Sequence, residues 1–172
     1  MVSANAPERN DRSLRAWPQS FRSVSAEQTL EAGERLGALM AKEYPDGVAA
    51  LLVGPLGAGK TVMAKGIAKG LGGQDPVISP TYTIISEYRG HAGTLHHVDL
   101  YRIEGRDQME NLGLEDILGG SGFVLVEWGE KLLPALAIPR PYLRVTLSMI
   151  TNGASDIRTE EVSARAPGEG AK

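Results

Sequence analysis

An apolar run that leads directly into a glycine-rich loop constrains the fold of this chain more than any other feature. Residues 48–53 are almost wholly apolar, which is typical of a strand buried on both faces of a parallel sheet. The residues that follow match G-x-x-x-x-G-K-[ST] at every defined position; they are Gly54, Pro55, Leu56, Gly57, Ala58, Gly59, Lys60 and Thr61. Residues 61–71 then show helical spacing of apolar residues. This strand–loop–helix order predicts a phosphate-binding P-loop.

The residue types in the loop indicate how it would hold a nucleoside triphosphate. Glycines let the backbone turn so that several N–H groups point at one phosphate, and the positive end of the following helix adds to the attraction. We expect the Lys60 ammonium to reach the β and γ phosphates and the Thr61 hydroxyl to bind Mg²⁺. The chain has no N-K-x-D motif for reading guanine. We therefore predict ATP and Mg²⁺ as ligands, with residues 54–61 as nucleotide contacts.

Two carboxylates are candidates for holding the magnesium ion, a task that P-loop proteins give to an acid on a neighbouring strand. Asp99 ends the predicted strand that contains residues 95–98, and Glu127 ends the more hydrophobic run at residues 123–126. Ligands of open α/β sheets bind outside the carboxyl ends of the strands, so both acids point to the expected edge. The alternative interpretation of each is a surface acid at the end of a strand.

The remaining pattern predicts alternating helices and strands. Ser25 and Gln28 have the spacing of a capping box before a helix over residues 26–42. A helical region over residues 107–118 is expected to break at Gly113. Further strands are predicted at residues 82–88, 94–99, 123–127 and 142–150. This alternation predicts a three-layer α/β P-loop NTPase fold with a mainly parallel sheet, which becomes mixed if the first two of these strands form a hairpin.

Composition narrows the class of protein and its surroundings. The chain has no cysteine, which excludes disulfide scaffolds and thiol catalysis, and its net charge of −3 does not favour binding nucleic acid unaided. No apolar run approaches the roughly 20 residues that span a bilayer, so we expect a cytoplasmic protein without a membrane segment. We predict flexible tails at residues 1–20 and 163–172 around one P-loop ATPase domain at residues 21–162.

Three further features allow more than one interpretation. The segment Ser79-Pro80-Thr81-Tyr82-Thr83 follows the P-loop helix, where Thr81 or Thr83 could sense the γ-phosphate, but an ordinary loop fits equally well. His96 and His97 would point to opposite faces of one strand, so we do not expect them to form a metal site. Trp128 could serve core packing, gate the site or contact a partner.

Taken together, the ordered segments closely resemble the bacterial TsaE family, also called YjeE. The resemblance extends from about residue 25 to residue 150, and its SPTYT, DLYR and VEW segments are far more specific than the P-loop alone. The segments that carry it are Gly54–Thr61, Ser79–Thr83, Val98–Arg102, Leu112–Leu114 and Val126–Trp128.

The resemblance implies an ATPase subunit in the synthesis of threonylcarbamoyladenosine in tRNA. Such a subunit hydrolyses ATP slowly alone, works with the partner proteins TsaD and TsaB, reaches tRNA only through that complex, and is thought to reset it between turnovers. Thr61 and Glu127 would then be magnesium ligands and Asp99 an essential acid at the same site, which makes Lys60, Asp99 and Glu127 the expected catalytic set. Thr81 and Thr83 would lie in a switch-like loop, and the segment near residues 27–29 would lie close to the adenine.

Other functions remain open at this level. A small-molecule kinase could use the same loop, although no insertion of lid length is visible. A GTPase switch usually carries the guanine-reading motif that is missing here. A nucleotide-gated adaptor would bind the same ligand as a slow ATPase, and the sequence does not separate the two.

Overall fold

A single mixed β-sheet organises the protein. The computed structural model describes residues 20–73, 83–150 and 154–162. Within them the sheet has seven strands in the order β1-β7-β6-β2-β5-β4-β3. The strands are β1 (Ser20–Ser23), β2 (Ala49–Val53), β3 (Ile85–Gly90), β4 (Gly93–Asp99), β5 (Phe123–Glu127), β6 (Tyr142–Met149) and β7 (Ser155–Val162).

The centre of the sheet is parallel and its flanks are antiparallel. Strands β6, β2, β5 and β4 pair in parallel, whereas β3 pairs with β4, and β7 with β6 and β1, in antiparallel fashion. The hairpin considered for the predicted strands at residues 82–88 and 94–99 is therefore present as β3 and β4, and the predicted mixed sheet is confirmed. Central parallel strands are covered on both faces, in agreement with the apolar run at residues 48–53.

Helices cover both faces of the sheet and make three layers. The helices are α1 (Ala26–Glu43), α2 (Lys60–Gly70), α3 (Arg106–Glu110) and α4 (Leu114–Gly119), with a short 3-10 helix at Gly129–Lys131. One core lies between the sheet and α1 and α2, and includes Leu36, Ile67 and Leu125. The other lies beneath α3 and α4, and includes Leu114 and Val126. The predicted three-layer α/β architecture is thus confirmed.

Local signals at the helix ends act as the sequence indicated. The Ser25 hydroxyl accepts a hydrogen bond from the Gln28 N–H at 3.2 Å, and the Gln28 side chain accepts one from the Val24 N–H at 3.0 Å. The first bond satisfies an N–H group that the first turn of α1 leaves without a partner, and the second ties the chain before the helix to that turn. Gly113 adopts a left-handed conformation with φ of 66° between α3 and α4, and so breaks the helical region there.

Helices α1 and α2 meet along a stripe of glycines, where their backbones come into direct contact. A Cβ atom on Gly66 would lie 2.3 Å from the Leu30 carbonyl oxygen, and one on Gly37 would lie 2.1 Å from the Ile67 carbonyl oxygen. Gly33 and Gly70 are equally crowded. The helix that follows the P-loop is therefore held against α1 at a distance that only glycine permits.

Strands β1 and β7, which lie together at one side of the sheet, were not predicted from sequence patterns. β1 lies at the boundary of the predicted N-terminal tail, and Ser20, assigned to that tail, begins it. β7 has a polar sequence in which Ile157 is buried against the core. The other residues of the predicted tails, and residue 82 of the predicted strand at 82–88, lie outside the described residues. In the part of the chain that the structure describes, no helix combines the length and apolar character needed to cross a membrane.

Candidate functional site

The glycine loop lies between β2 and α2, as its motif requires. Gly54 follows β2 with φ of 147°, and a Cβ atom there would lie 2.2 Å from the Leu147 carbonyl oxygen. Gly59 has φ of 95° and immediately precedes Lys60, the first residue of α2. Left-handed values favour glycine, so the loop turns sharply and leaves the N–H groups at the start of α2 free of helical partners. This arrangement suits an anion.

Lys60 lies inside the loop and not on the surface. Its residue is 5% exposed, and Nζ donates hydrogen bonds to the carbonyl oxygens of Gly54 at 2.6 Å and Pro55 at 2.8 Å. Nζ also lies 3.7 Å from the centroid of the Trp128 ring, which places the ammonium against the negative face of the indole. The ammonium therefore meets the backbone of the loop and an aromatic ring at once.

Burial is the main influence on the charge of Lys60. Desolvation lowers the pKa of Lys60, because it disfavours the charged ammonium. The negative charges of Glu130, Glu127 and Asp99 act in the opposite direction and raise it. The lysine thus lies in a pocket that is electrostatically negative, which compensates part of the cost of burying a cation.

The two predicted acids stand side by side at the carboxyl ends of neighbouring strands. Asp99 and Glu127 are paired in the register of β4 and β5, and both are buried. The Thr61 hydroxyl donates a hydrogen bond to Glu127 Oε2 at 2.7 Å. Asp99 Oδ1 accepts one from the Tyr101 N–H at 2.9 Å. The start of α2 and the ends of β4 and β5 therefore bring a hydroxyl and two carboxylates together.

A cavity of about 430 Å³ opens over these groups. It is lined by Leu56, Gly57, Gly59, Lys60, Thr61, Val62, Asp99, Tyr101, Glu127 and Trp128. Leu56 and Tyr101 are 70% and 46% exposed, so apolar surface surrounds a charged interior. A smaller recess of about 190 Å³ borders the same loop, and Ser25, Thr29 and Ala58 contribute to it.

Of the predicted nucleotide contacts that the structure describes, Gly54, Pro55, Ala58 and Thr83 are not among the residues that line this cavity. The first three belong to the glycine loop itself. Thr83 is exposed, its hydroxyl lies 3.2 Å from that of Ser86, and it is absent from the cavity lining. Thr81 lies outside the described residues. That Thr81 and Thr83 act in a switch-like loop stays a prediction.

The sequence assigned no role to His97 or Lys131 and left three interpretations open for Trp128. His97 Nε2 lies 3.0 Å from Glu127 Oε1. Trp128 has a left-handed backbone with φ of 61°, which is strained for a tryptophan, and its ring packs 5.2 Å from that of Tyr101. Lys131 Nζ donates to the carbonyl oxygens of Leu100, Tyr101 and Ile103. Strand alternation could have placed His97 on the face of Asp99, but no pattern shows the positions of Trp128 and Lys131.

Comparison with known proteins supports the resemblance found in the sequence. The family model described as "Threonylcarbamoyl adenosine biosynthesis protein TsaE" matches residues 23–157. The tRNA threonylcarbamoyladenosine biosynthesis protein TsaE of Treponema pallidum (strain Nichols) is 34% identical over 135 residues, which cover 78% of this chain and 95% of that protein. The protein of the same name from Bacillus subtilis (strain 168) is 39% identical over 145 residues, which cover 84% and 87%.

A solved structure extends the likeness to the fold. The crystal structure of Bacillus subtilis YdiB matches with a TM-score of 0.58 and 29% sequence identity, and the match covers 84% of each chain. The family match includes the glycine loop and the strands that carry Asp99 and Glu127. The resemblance predicted from the SPTYT, DLYR and VEW segments is confirmed, and this chain belongs to the TsaE family.

Proposed function

We propose that this protein binds ATP and Mg²⁺ and hydrolyses ATP in support of threonylcarbamoyladenosine formation in tRNA. It acts together with TsaB- and TsaD-type proteins, and its hydrolysis resets their complex between turnovers. It is a slow ATPase alone. It reaches tRNA through the complex, in keeping with its net charge of −3. The names of its relatives in Treponema pallidum and Bacillus subtilis support the tRNA pathway.

The convergence of a lysine, a hydroxyl and two acids on one cavity carries this proposal. Lys60 and Thr61 begin α2, while Asp99 and Glu127 end β4 and β5, and all four line the same cavity. Phosphoryl transfer depends mainly on positioning and on stabilising charge, and these are the groups that P-loop enzymes use for it. The carboxyl edge of the sheet is also where α/β proteins bind their ligands.

The side chains of the site fit a magnesium ion that is bound together with a nucleotide better than a metal ion that is held by protein ligands alone. Among the described residues, no group of three or more histidine, aspartate or glutamate side chains is arranged to hold a metal ion. Mg²⁺ keeps several waters and usually takes one or two carboxylates together with substrate phosphates. Thr61 and Glu127, which are joined by a 2.7 Å hydrogen bond, would hold Mg²⁺, with Asp99 beside them. When bound, the ion neutralises charge on the phosphate oxygens.

Each of the residues of the site then has a defined task. Lys60 would exchange its bonds to the loop carbonyls for the β and γ phosphates, because its Nζ already lies within the turn of the loop. Glu127 and Asp99 would orient the groups around the metal. Leu56 and Tyr101 leave apolar surface exposed on the cavity lining, which a partner protein could cover. A partner that covers the cavity would exclude water and complete the slow site.

Reconstitution tests this function directly. The protein is mixed with TsaB- and TsaD-type proteins, tRNA and the activated threonylcarbamoyl donor, and modified tRNA and released phosphate are both measured over many turnovers. We expect multiple turnovers with the natural chain and a loss of them with Lys60→Ala. Lys65→Ala, which removes an exposed lysine from the same helix, is the matched control and should behave as the natural chain does.

The alternatives give different results in the same experiment. Unchanged turnover without this protein, or with Lys60→Ala, would refute the proposed role. Full turnover without phosphate release would favour a nucleotide-gated adaptor. Transfer of the phosphate to a small acceptor would favour a kinase.

A further inference from the structure

His97 lies buried beside one of the acids of the site. Its residue has 0% exposure, and it lies on β4 two positions before Asp99, so both face the same side of the sheet. In the register of β4 and β5, His97 pairs with Leu125 and Asp99 pairs with Glu127. The imidazole therefore reaches diagonally, toward the carboxyl end of β5, to place Nε2 3.0 Å from Glu127 Oε1.

This contact leaves Glu127 held at both oxygens. Oε1 faces His97 Nε2, and Oε2 accepts a hydrogen bond from the Thr61 hydroxyl at 2.7 Å. The terminal torsion of a glutamate side chain is broad and weakly restrained by itself. Two contacts, one to each oxygen, fix the plane of the carboxylate and direct Oε2 toward Thr61.

The other nitrogen of the ring shows which atom carries the hydrogen. His97 Nδ1 is buried and has no hydrogen-bond partner among the residues that the structure describes. Burying a polar N–H without an acceptor is costly, so the hydrogen belongs on Nε2, which then donates to Glu127 Oε1. Burying the polar imidazole in the core also costs free energy, and this hydrogen bond offsets part of that cost.

We propose that His97 is a positioning residue that sets the orientation of the Glu127 carboxylate for magnesium binding. The inference rests on the proposed function, because it assigns His97 a task at the same magnesium–nucleotide site. His97 contacts neither nucleotide nor metal in this scheme and acts only through Glu127. Partners that orient metal ligands typically change metal affinity 10- to 100-fold when they are removed. We therefore expect a loss of magnesium affinity of about 10-fold without the Nε2 donor.

Two amide variants separate positioning from simple packing. In His97→Gln the amide nitrogen is as many bonds from Cβ as imidazole Nε2, whereas in His97→Asn it is one bond shorter and matches Nδ1. Both variants place one amide group in the core, and because asparagine is one methylene smaller, thermal melts show how much of any difference comes from stability. His96, which is half-buried on the opposite face of β4, provides the control variant His96→Gln.

The measurement is the magnesium concentration at half-maximal binding of a fluorescent ATP analogue to the full chain, with thermal melts to compare stability. We expect that midpoint to rise about 10-fold in His97→Asn, to stay within about 3-fold in His97→Gln, and to be unchanged in His96→Gln. Nucleotide affinity at saturating Mg²⁺ should change little in all three. Equal midpoints for the Asn and Gln variants, whether raised or not, would overturn the inference.

A second measurement needs neither metal nor nucleotide. The nitrogen NMR shifts of the chain's three histidines, assigned with the variants at positions 96 and 97, report which ring nitrogen carries hydrogen. We expect hydrogen on Nε2 of His97, and hydrogen on Nδ1 instead would overturn the inference. If the natural chain binds the analogue without any need for Mg²⁺, the proposed function fails as well. If its binding depends on Mg²⁺ but the Asn and Gln variants behave alike, only the role of His97 fails.

Discussion

Replacing Gly66 by alanine should destabilise the protein, although alanine is the better helix former. Gly66 lies on α2, where a Cβ atom would come within 2.3 Å of the Leu30 carbonyl oxygen and 2.8 Å of Gly33 Cα. Both are backbone atoms of α1, so no side-chain rotation relieves the contact. The helices would have to separate by about 1 Å to restore ordinary packing distances.

The magnitude follows from two opposing effects. Alanine in place of glycine within a helix stabilises by about 0.5–1 kcal/mol. Overpacking of a well-packed interior costs about 1–3 kcal/mol, and here the crowded atoms belong to two backbones, which favours the upper part of that range. We therefore expect a net loss of about 1–2 kcal/mol, which corresponds to a fall in Tm of about 3–6 °C for a chain of this length.

Urea unfolding and thermal melts of the variant measure this loss. Gly119→Ala is the matched control, because a Cβ atom at this position of α4 would meet only the Pro139 side chain, at 3.8 Å. The control should unfold as the natural chain does or slightly later. A Gly66→Ala protein as stable as the control would show that α1 and α2 are not in backbone contact, and the reasoning would be wrong.

Other predictions concern the charged groups of the site. Lys60→Ala should weaken binding of a fluorescent ATP analogue roughly 10- to 100-fold through the loss of charge-assisted bonds, and unchanged affinity in a folded variant would contradict the P-loop assignment. Burial lowers the pKa of Lys60, so between that pKa and 10.5 the unfolded chain binds more protons. The free energy of unfolding should therefore rise with pH in that window, and urea melts of Lys60→Met should lack this rise. Glu127→Ala should lower the free energy of unfolding by about 1–3 kcal/mol, because it removes the acceptor of the buried His97. Asp99→Asn keeps an acceptor for the Tyr101 N–H, so its free energy of unfolding should stay within about 0.5 kcal/mol of that of the natural chain. Both variants should lose magnesium-dependent ATPase activity, and normal turnover in both would mean that the metal is held elsewhere. Competition binding should favour ATP over GTP, and a clear preference for GTP would support a switch protein instead.

Much of the fold could be predicted because its central elements carry strong local patterns. The apolar run before Gly54 indicated a strand covered on both faces, and Ser25 with Gln28 marked the start of α1. β1 and β7 were missed because neither carries a strong hydrophobic pattern. In β7 the buried Ile157 lies among polar neighbours, so its hydrophobic pattern is too faint to mark a strand.

The site could be predicted in part, for a related reason. The rule that ligands bind at the carboxyl ends of parallel strands was enough to bring Asp99 and Glu127 together, since β4 and β5 are neighbours. The contacts of His97, Trp128 and Lys131 depend on tertiary packing, on a left-handed backbone and on carbonyl groups of a distant loop. No periodic pattern in the sequence encodes these contacts, so only the folded structure shows them.

The residue-for-residue pairing of β4 and β5 limits where this chain can change in length. Because Asp99 stands opposite Glu127, deleting or inserting one residue within either strand would turn its acid to the other face of the sheet. Changes in length are then compatible with the site only in connections away from the cavity, such as residues 120–122. Among relatives that keep both acids, insertions and deletions should therefore fall in such connections and leave the length of each strand unchanged.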